Sequence, residues 1–337
     1  MRFFRPSQFA SFGTVGARLF RCRAALFFAA AFYVFAPAPA SAQETGAAKA
    51  PPRKSRHKSP PASVNVGKLD AAEVCPGSRQ VTSQAEFRHY MVRTFRGPNP
   101  AGCYIVFHDK KKIFSETGVL FQIGGSPQSA DDPNALVRMG ADVTGEGKPD
   151  LVIGRWSGGA GCCFGIEVFE VGSDFRKITD IDLQRSADAE FADVDGDGRL
   201  ELVAADWTFA EWHAPLAESP TPQVLLRFRD GAFHLAADVM KKPAPRRAEL
   251  EAKLQQVMAS PGWGNPQDPP SRLWTTMLDL IYSGNALEAW IFCDDAWPAG
   301  RAGKAEFVRE FRGQLARSPY WADLKALPGN ASLEAAS

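Results

Sequence analysis

Two periodicities divide the chain. From Cys103 to about Leu235, short apolar runs alternate with polar turns, whereas beyond Pro243 apolar residues recur three and four positions apart. The first pattern predicts strands and the second helices. Cys103–Gly118 reads as a hairpin, with CYIVF and IFSETG flanking the turn HDKKK, and VLFQIG adds a strand. Further strands are expected at Phe164–Val171, Phe175–Ile181 and Gln223–Phe228, with AFHLA following the Asp230-Gly231 turn. Four helical stripes follow: Leu250, Leu254 and Met258; Leu273, Met277, Leu280 and Ile281; Leu287, Trp290 and Ile291; and Phe307, Phe311 and Leu315, ended by Ser318-Pro319.

Within the strand-rich part lies an internal repeat. Residues 141–156 read ADVTGEGKPDLVIGRW and residues 192–207 read ADVDGDGRLELVAADW, with eight of sixteen positions identical at an offset of 51. Each copy precedes a second pair of strand-like runs, so one repeat is about four short strands, the content of one propeller blade. Two such blades and a hairpin are too few for a closed ring. The expected fold class is therefore α+β: antiparallel β-rich repeats, partially propeller-like with about two blades, followed by a helical C-terminal region.

The repeat also carries the chemistry. Asp193, Asp195, Asp197 and Glu201 alternate with Gly196 and Gly198 in one short loop. Carboxylates this close repel, by about a kcal/mol or more per pair at an effective dielectric near 20, so a cation favours the loop. Calcium, with a shell of about 6–8 oxygens, suits acids at alternate positions plus one backbone carbonyl, here that of Arg199. In the first copy the corresponding ligands are Asp142, Thr144, Glu146, Asp150 and the Lys148 carbonyl, a weaker set because it carries one negative charge fewer. An EF-hand needs a bidentate acid at loop position twelve. That position holds Ala204, or Ile153 in the first copy, so the expected context is a hairpin loop whose last acid, Glu201 or Asp150, opens the outgoing strand.

These blocks resemble the calcium-binding hairpins of FG-GAP or VCBS-type repeats, found in integrin-like β-propellers and in many bacterial exported proteins. The likeness covers residues 140–240 and implies that Ca2+ rigidifies each hairpin. WSGGAGCCF (Trp156–Phe164) is similar to a glycine and double-cysteine stretch of uncharacterised exported proteins of this kind, in which a histidine often precedes the cysteines; here that position is Gly161.

The N-terminal region sets the expected compartment. Arginines up to Arg23 precede a 13-residue apolar run, Ala24 to Ala36, and Ala40-Ser41-Ala42. Residues 1–42 thus read as a cleaved secretory signal, with no transmembrane span after cleavage and a periplasmic or secreted destination. Residues 43–66, rich in Pro, Ala, Lys and Arg, read as a disordered basic linker. A β-rich domain over 67–242 and a helical region over 243–337 complete the organisation. Export makes disulfides plausible among Cys75, Cys103, Cys162, Cys163 and Cys293. Cys75 with Cys103 is the preferred bridge, while adjacent Cys162 and Cys163 admit a vicinal disulfide, separate bridges or one buried thiol.

Composition changes the picture little, but charge excludes one class. Lys and Arg number 39 against 38 Asp and Glu, and residues 1–42 hold five arginines and no acid, leaving a net of −4 on the remainder. No polyanion-binding surface, and hence no nucleic-acid partner, is expected. G-x-S-x-G, H-E-x-x-H, Walker A and G-x-G-x-x-G runs are absent, so no catalytic residue is assigned. Trp156 and Trp207, at equivalent repeat positions, are read as core before sugar platform. The expectation is a calcium-stabilised binding or structural module of the cell envelope, its partner an unidentified envelope protein or glycan. The alternatives are an envelope hydrolase of glycan or peptide, or a thiol-disulfide protein using Cys162 and Cys163.

Overall fold

A computed structural model describes residues 80–97, 101–132, 134–264 and 269–333. The expected export signal, the linker and Cys75 lie outside the described residues. Among the described residues, twelve strands form three antiparallel four-stranded sheets, each a meander in chain order. The first contains β1 (Gln80–Phe87), β2 (Tyr90–Arg96), β3 (Gly102–His108) and β4 (Lys111–Thr117). The second contains β5 (Leu120–Ile123), β6 (Asp150–Trp156), β7 (Phe164–Val171) and β8 (Phe175–Gln184). The third contains β9 (Glu190–Ala192), β10 (Glu201–Ala205), β11 (Gln223–Arg229) and β12 (Ala232–Leu235).

Each repeat contributes to a four-stranded sheet, but the fourth strand of the first one is β5, from the VLFQIG segment that precedes the repeat, and there are three open sheets rather than two blades and a hairpin. The hairpin at 103–118 is half of a complete first sheet, whose edge strand β1 was illegible because most of its residues are exposed and its apolar alternation is weak. Among the described residues the sheets are open, and no propeller closes.

Alternation explains how the middle sheet packs. Leu151 and Ile153 of β6 share a cluster with Tyr90, Val92, Tyr104 and Val106 of the first sheet. Val152, between them, joins Ile166 and Val168 in a cluster with Leu202 and Leu226 of the third sheet and with the helices. Successive strand residues point to opposite faces, so β6 covers two cores at once. β7 is buried at all eight positions, including Glu167 and Glu170. Glu167 is held by the Tyr104 hydroxyl, which donates to it at 2.7 Å from the first sheet, and by Lys177. Tyr104 also donates to Glu116 at 3.4 Å, so one phenol bridges two carboxylates. Burial, and then the charge of Glu167, raises the Glu116 pKa.

Six helices follow among the described residues: α1 (Ala237–Met240), α2 (Arg247–Met258), α3 (Ser271–Tyr282), α4 (Ala286–Ala296), α5 (Lys304–Leu315) and α6 (Trp321–Ala326). α3 is the centre of this region, with Leu273, Trp274, Met277, Leu278, Leu280 and Ile281 all buried. Phe307, Phe311 and Leu315 are buried as their spacing predicts. The expected α4 stripe holds only at Trp290, which packs partly buried against the core: Leu287 and Ile291 are exposed, and the helix instead buries Ala286, Ala289, Phe292, Cys293 and Ala296. Ala286 and Ala289 pack into the core beside Phe292, and Leu287 and Ile291 face outward. Met258 of α2 is likewise exposed, with Val257 buried in its place. A buried carboxylate fastens helices to sheet. Asp206, just after β10, accepts hydrogen bonds from the Tyr282 hydroxyl at 2.6 Å, from the Ser318 hydroxyl and from the Thr208 backbone. No helix among the described residues is long and apolar enough to cross a membrane.

Candidate functional site

The two acidic turns occupy the places the sequence predicts, each ending where its last acid opens a strand: Asp150 begins β6 and Glu201 begins β10. The second is a true hairpin loop, since Glu201 pairs with Ala192 across it. Gly196 and Gly198 sit at φ 77° and 87°, and Gly145 and Gly147 of the first turn at 70° and 75°. A side chain is disfavoured at this left-handed backbone, so the glycines set both curls.

In the second turn, Asp193 accepts from the Gly196 and Gly198 amides at 2.8 and 3.1 Å, closing the loop on itself. Asp195 and Asp197 cap the amides of Asp197 and Arg199 at 3.3 and 2.8 Å. One oxygen from each of Asp193, Asp195 and Asp197 lies within 4.8 Å of the others. Glu201 is fully buried and is not part of this group, accepting from the Val194 amide at 2.9 Å.

The sequence reading missed the residue that organises this turn. Arg227 of β11 donates to Glu201, to Asp195 at 2.7 Å, to Asp197 at 3.2 Å and to Asp238 at 2.6 Å. Burial works against its charge, but the bonds to Glu201 and Asp195 outweigh that and push the guanidinium pKa up. Arg199 adds a second cation, donating to Asp197 at 3.2 Å. Its backbone amide, then its guanidinium, hold the Asp197 carboxyl below the usual range. Asp195, Asp197, Glu201 and Asp238 thus meet two guanidiniums, and with Asp193, held only by backbone amides, the group carries three more negative charges than positive ones.

The first turn gathers its acids differently. Asp142 caps the Glu146 and Gly147 amides at 3.1 and 2.8 Å. Asp150 is 2% exposed and accepts from the Val143 amide, the Thr144 amide and the Thr144 hydroxyl at 2.9, 3.0 and 3.0 Å. Burial pushes the Asp150 pKa up to about 6 despite these bonds. Glu146 is exposed, and Lys148 reaches across to Glu170 at 3.1 Å. Asp142, Thr144 and Asp150 are together; Glu146 joins them through its backbone amide, which donates to Asp142.

The cysteines resolve the alternatives left open. Cys162 and Cys163 form a vicinal disulfide with a Cα separation of 3.7 Å. Cys103 is disulfide-bonded, and its expected partner Cys75 lies outside the described residues. Cys293 is a buried free thiol whose pKa burial pushes up to about 12, which suppresses the reactive thiolate. The two repeat tryptophans diverge. Trp156 stacks on Phe164 at 5.7 Å and packs against the main core, whereas Trp207 borders a surface cavity beside the disulfide. Compared with family models, curated proteins and solved structures, the chain gives no match.

Proposed function

We propose that this chain is a non-enzymatic binding or structural module of the cell envelope whose second acidic turn takes a calcium ion through Asp193, Asp195 and Asp197. The observation that carries the reading is the convergence of those three carboxylates to within 4.8 Å on a glycine-curled loop. Calcium is favoured because the donors are all hard oxygens and the turn retains negative charge beyond what Arg199 and Arg227 neutralise. The resemblance to FG-GAP and VCBS hairpins supports the same ion. Asp142, Thr144 and Asp150 form the weaker site, because they bring two carboxylates where the second turn brings three, and one of the two, Asp150, is buried.

Calcium added to chelator-treated protein tests this directly. A ligand that binds only the folded state stabilises by about 2.7 kcal/mol at a hundredfold excess over Kd. For a domain of this size that is a rise in melting temperature of about 5–10 °C. Asp195→Ala removes most of the rise, and Glu146→Ala removes little. Melting of the wild type that ignores calcium sinks the proposal.

A further inference from the structure

The double-cysteine motif, which the acidic turns leave unused, forms one wall of a surface cavity of about 440 Å3 lined by Arg155, Cys162, Cys163, Gln184, Arg185 and Trp207, together with Asp182. The volume falls in the lower part of the ~300–1,000 Å3 range of small-molecule sites. Three features mark it as built. Cys163 and Gln184 adopt left-handed backbone at φ 67° and 55°, and the Cys163 amide donates to the Gln184 carbonyl at 3.0 Å. Such conformations in side-chain-bearing residues cost on the order of 1–3 kcal/mol each and persist where the surroundings enforce them. Gln184 is further fixed because its side-chain oxygen accepts from the Trp207 amide at 2.8 Å. Gly165 lacks the Cβ that would come within 2.6 Å of the Arg155 guanidinium, so this arginine can lie across β7 at the cavity wall.

The lining states what would fit. Its flat apolar surfaces are the partly exposed Trp207 ring and the closed disulfide, which cannot rotate away. Its polar groups are mostly donors. Arg155 is already engaged by Asp180 and, at 3.9 Å, by Glu167. Among the described residues, Arg185 pairs only with Glu211, at 3.4 Å and itself 62% exposed, a pair of the weak surface kind. With its oxygen occupied, Gln184 offers two amide N–H donors, and Asp182 keeps one carboxylate oxygen beyond the one that caps the Gln184 amide at 2.8 Å. One cation for an anion, an amide donor and a carboxylate acceptor around an aromatic face suit a ring with an apolar side, hydroxyls and one carboxylate.

We propose that this cavity binds an acidic saccharide, with Arg185 taking the sugar carboxylate, Gln184 and Asp182 its hydroxyls, and Trp207 and the disulfide its apolar face. The site names a ligand class for the binding role above yet shares no residue with the acidic turns, so a calcium titration and a saccharide titration fail separately.

Isothermal titration of the whole chain with digalacturonate tests it, with maltose as the neutral ring and poly-glutamate as the ringless polyanion. Digalacturonate should bind saturably and both controls about tenfold or more weakly, a difference of about 1.4 kcal/mol per factor of ten. Arg185→Gln should weaken digalacturonate by about tenfold or more, and Glu211→Gln, which releases Arg185, should tighten it. Circular dichroism establishes that each variant is folded. Absence of saturable binding to the folded wild type overturns the proposal, as does equal affinity for maltose or poly-glutamate, or binding that Arg185→Gln leaves unchanged.

Discussion

The two acidic turns share a backbone and differ in what stands opposite them. Asp150 of β6 pairs in register with Glu170 of β7, whereas β10 and β11 pair Leu202 with Leu226, which sets Glu201 against Arg227. One cross-strand position therefore carries an acid in one repeat and a base in the other. In the second repeat, the arginine ties three acids of the turn and Asp238 to the sheet. In the first repeat, Asp150 folds onto its own turn's amides, and Glu170 is satisfied by Lys148 of the turn and by Arg176 of β8 at 3.1 and 2.8 Å. A loop motif thus fixes the curl, while the neighbouring strand decides how its charge is balanced.

Removing Arg227 should break the difference with the largest effect. Arg227→Ala leaves Glu201, which is fully buried, without its cation. Stranding one member of a buried pair costs about 3–5 kcal/mol, readable as a lower urea midpoint. Calcium should restore more stability to this variant than it adds to the wild type, because Asp195 and Asp197 lose a competing cation. A loss below about 1 kcal/mol would make the arginine a surface ornament and return the second turn to the pattern of the first.

How much of this was legible follows from separation along the chain. Asp193, Gly196, Asp197 and Glu201 are close in sequence, so spacing alone gives the curl and the strand that leaves it. Arg227 lies 26 residues beyond Glu201, and its role depends on the β10–β11 register, which no local pattern specifies. A signal did exist: laying QVLLRF against the equivalent FGIEVFEV sets a base against an acid at the same strand position. The α4 stripe failed for another reason. Large apolar residues outweighed Ala286 and Ala289 in the periodicity, although close helix packing favours the small ones. The cavity beside the disulfide joins residues from β6, β8 and the segment after β10, so only tertiary structure assembles it.

The pH response should sharpen the comparison at the next level of effect. The Asp150 pKa is raised from 3.8 to about 6, so the folded state binds its proton more tightly than the unfolded chain does. Its favourable contribution is complete below about pH 4 and is lost as pH rises through about 6. At 1.36 kcal/mol per unit, the change is up to about 3 kcal/mol. In chelator, Asp150→Asn should flatten this part of the stability profile measured by urea unfolding from pH 4 to 7. An unchanged slope would mean that Asp150 stays ionised throughout.

Asp197 should give the opposite sign and the smallest effect. Its pKa is lowered, chiefly by the Arg199 amide and guanidinium, so its contribution is present above the ordinary carboxylate range and is lost as pH falls through the depressed value. The carboxylate faces solvent beside Arg199, where water and salt screen the attraction. Asp197→Asn should therefore shift the melting temperature slightly at neutral pH and not at all once acid has protonated the wild type, with added salt shrinking the difference. A loss as large as that of Arg227→Ala would place Asp197, rather than Glu201, as the arginine's principal partner, and the contrast between the turns would then rest on an exposed pair instead of a buried one.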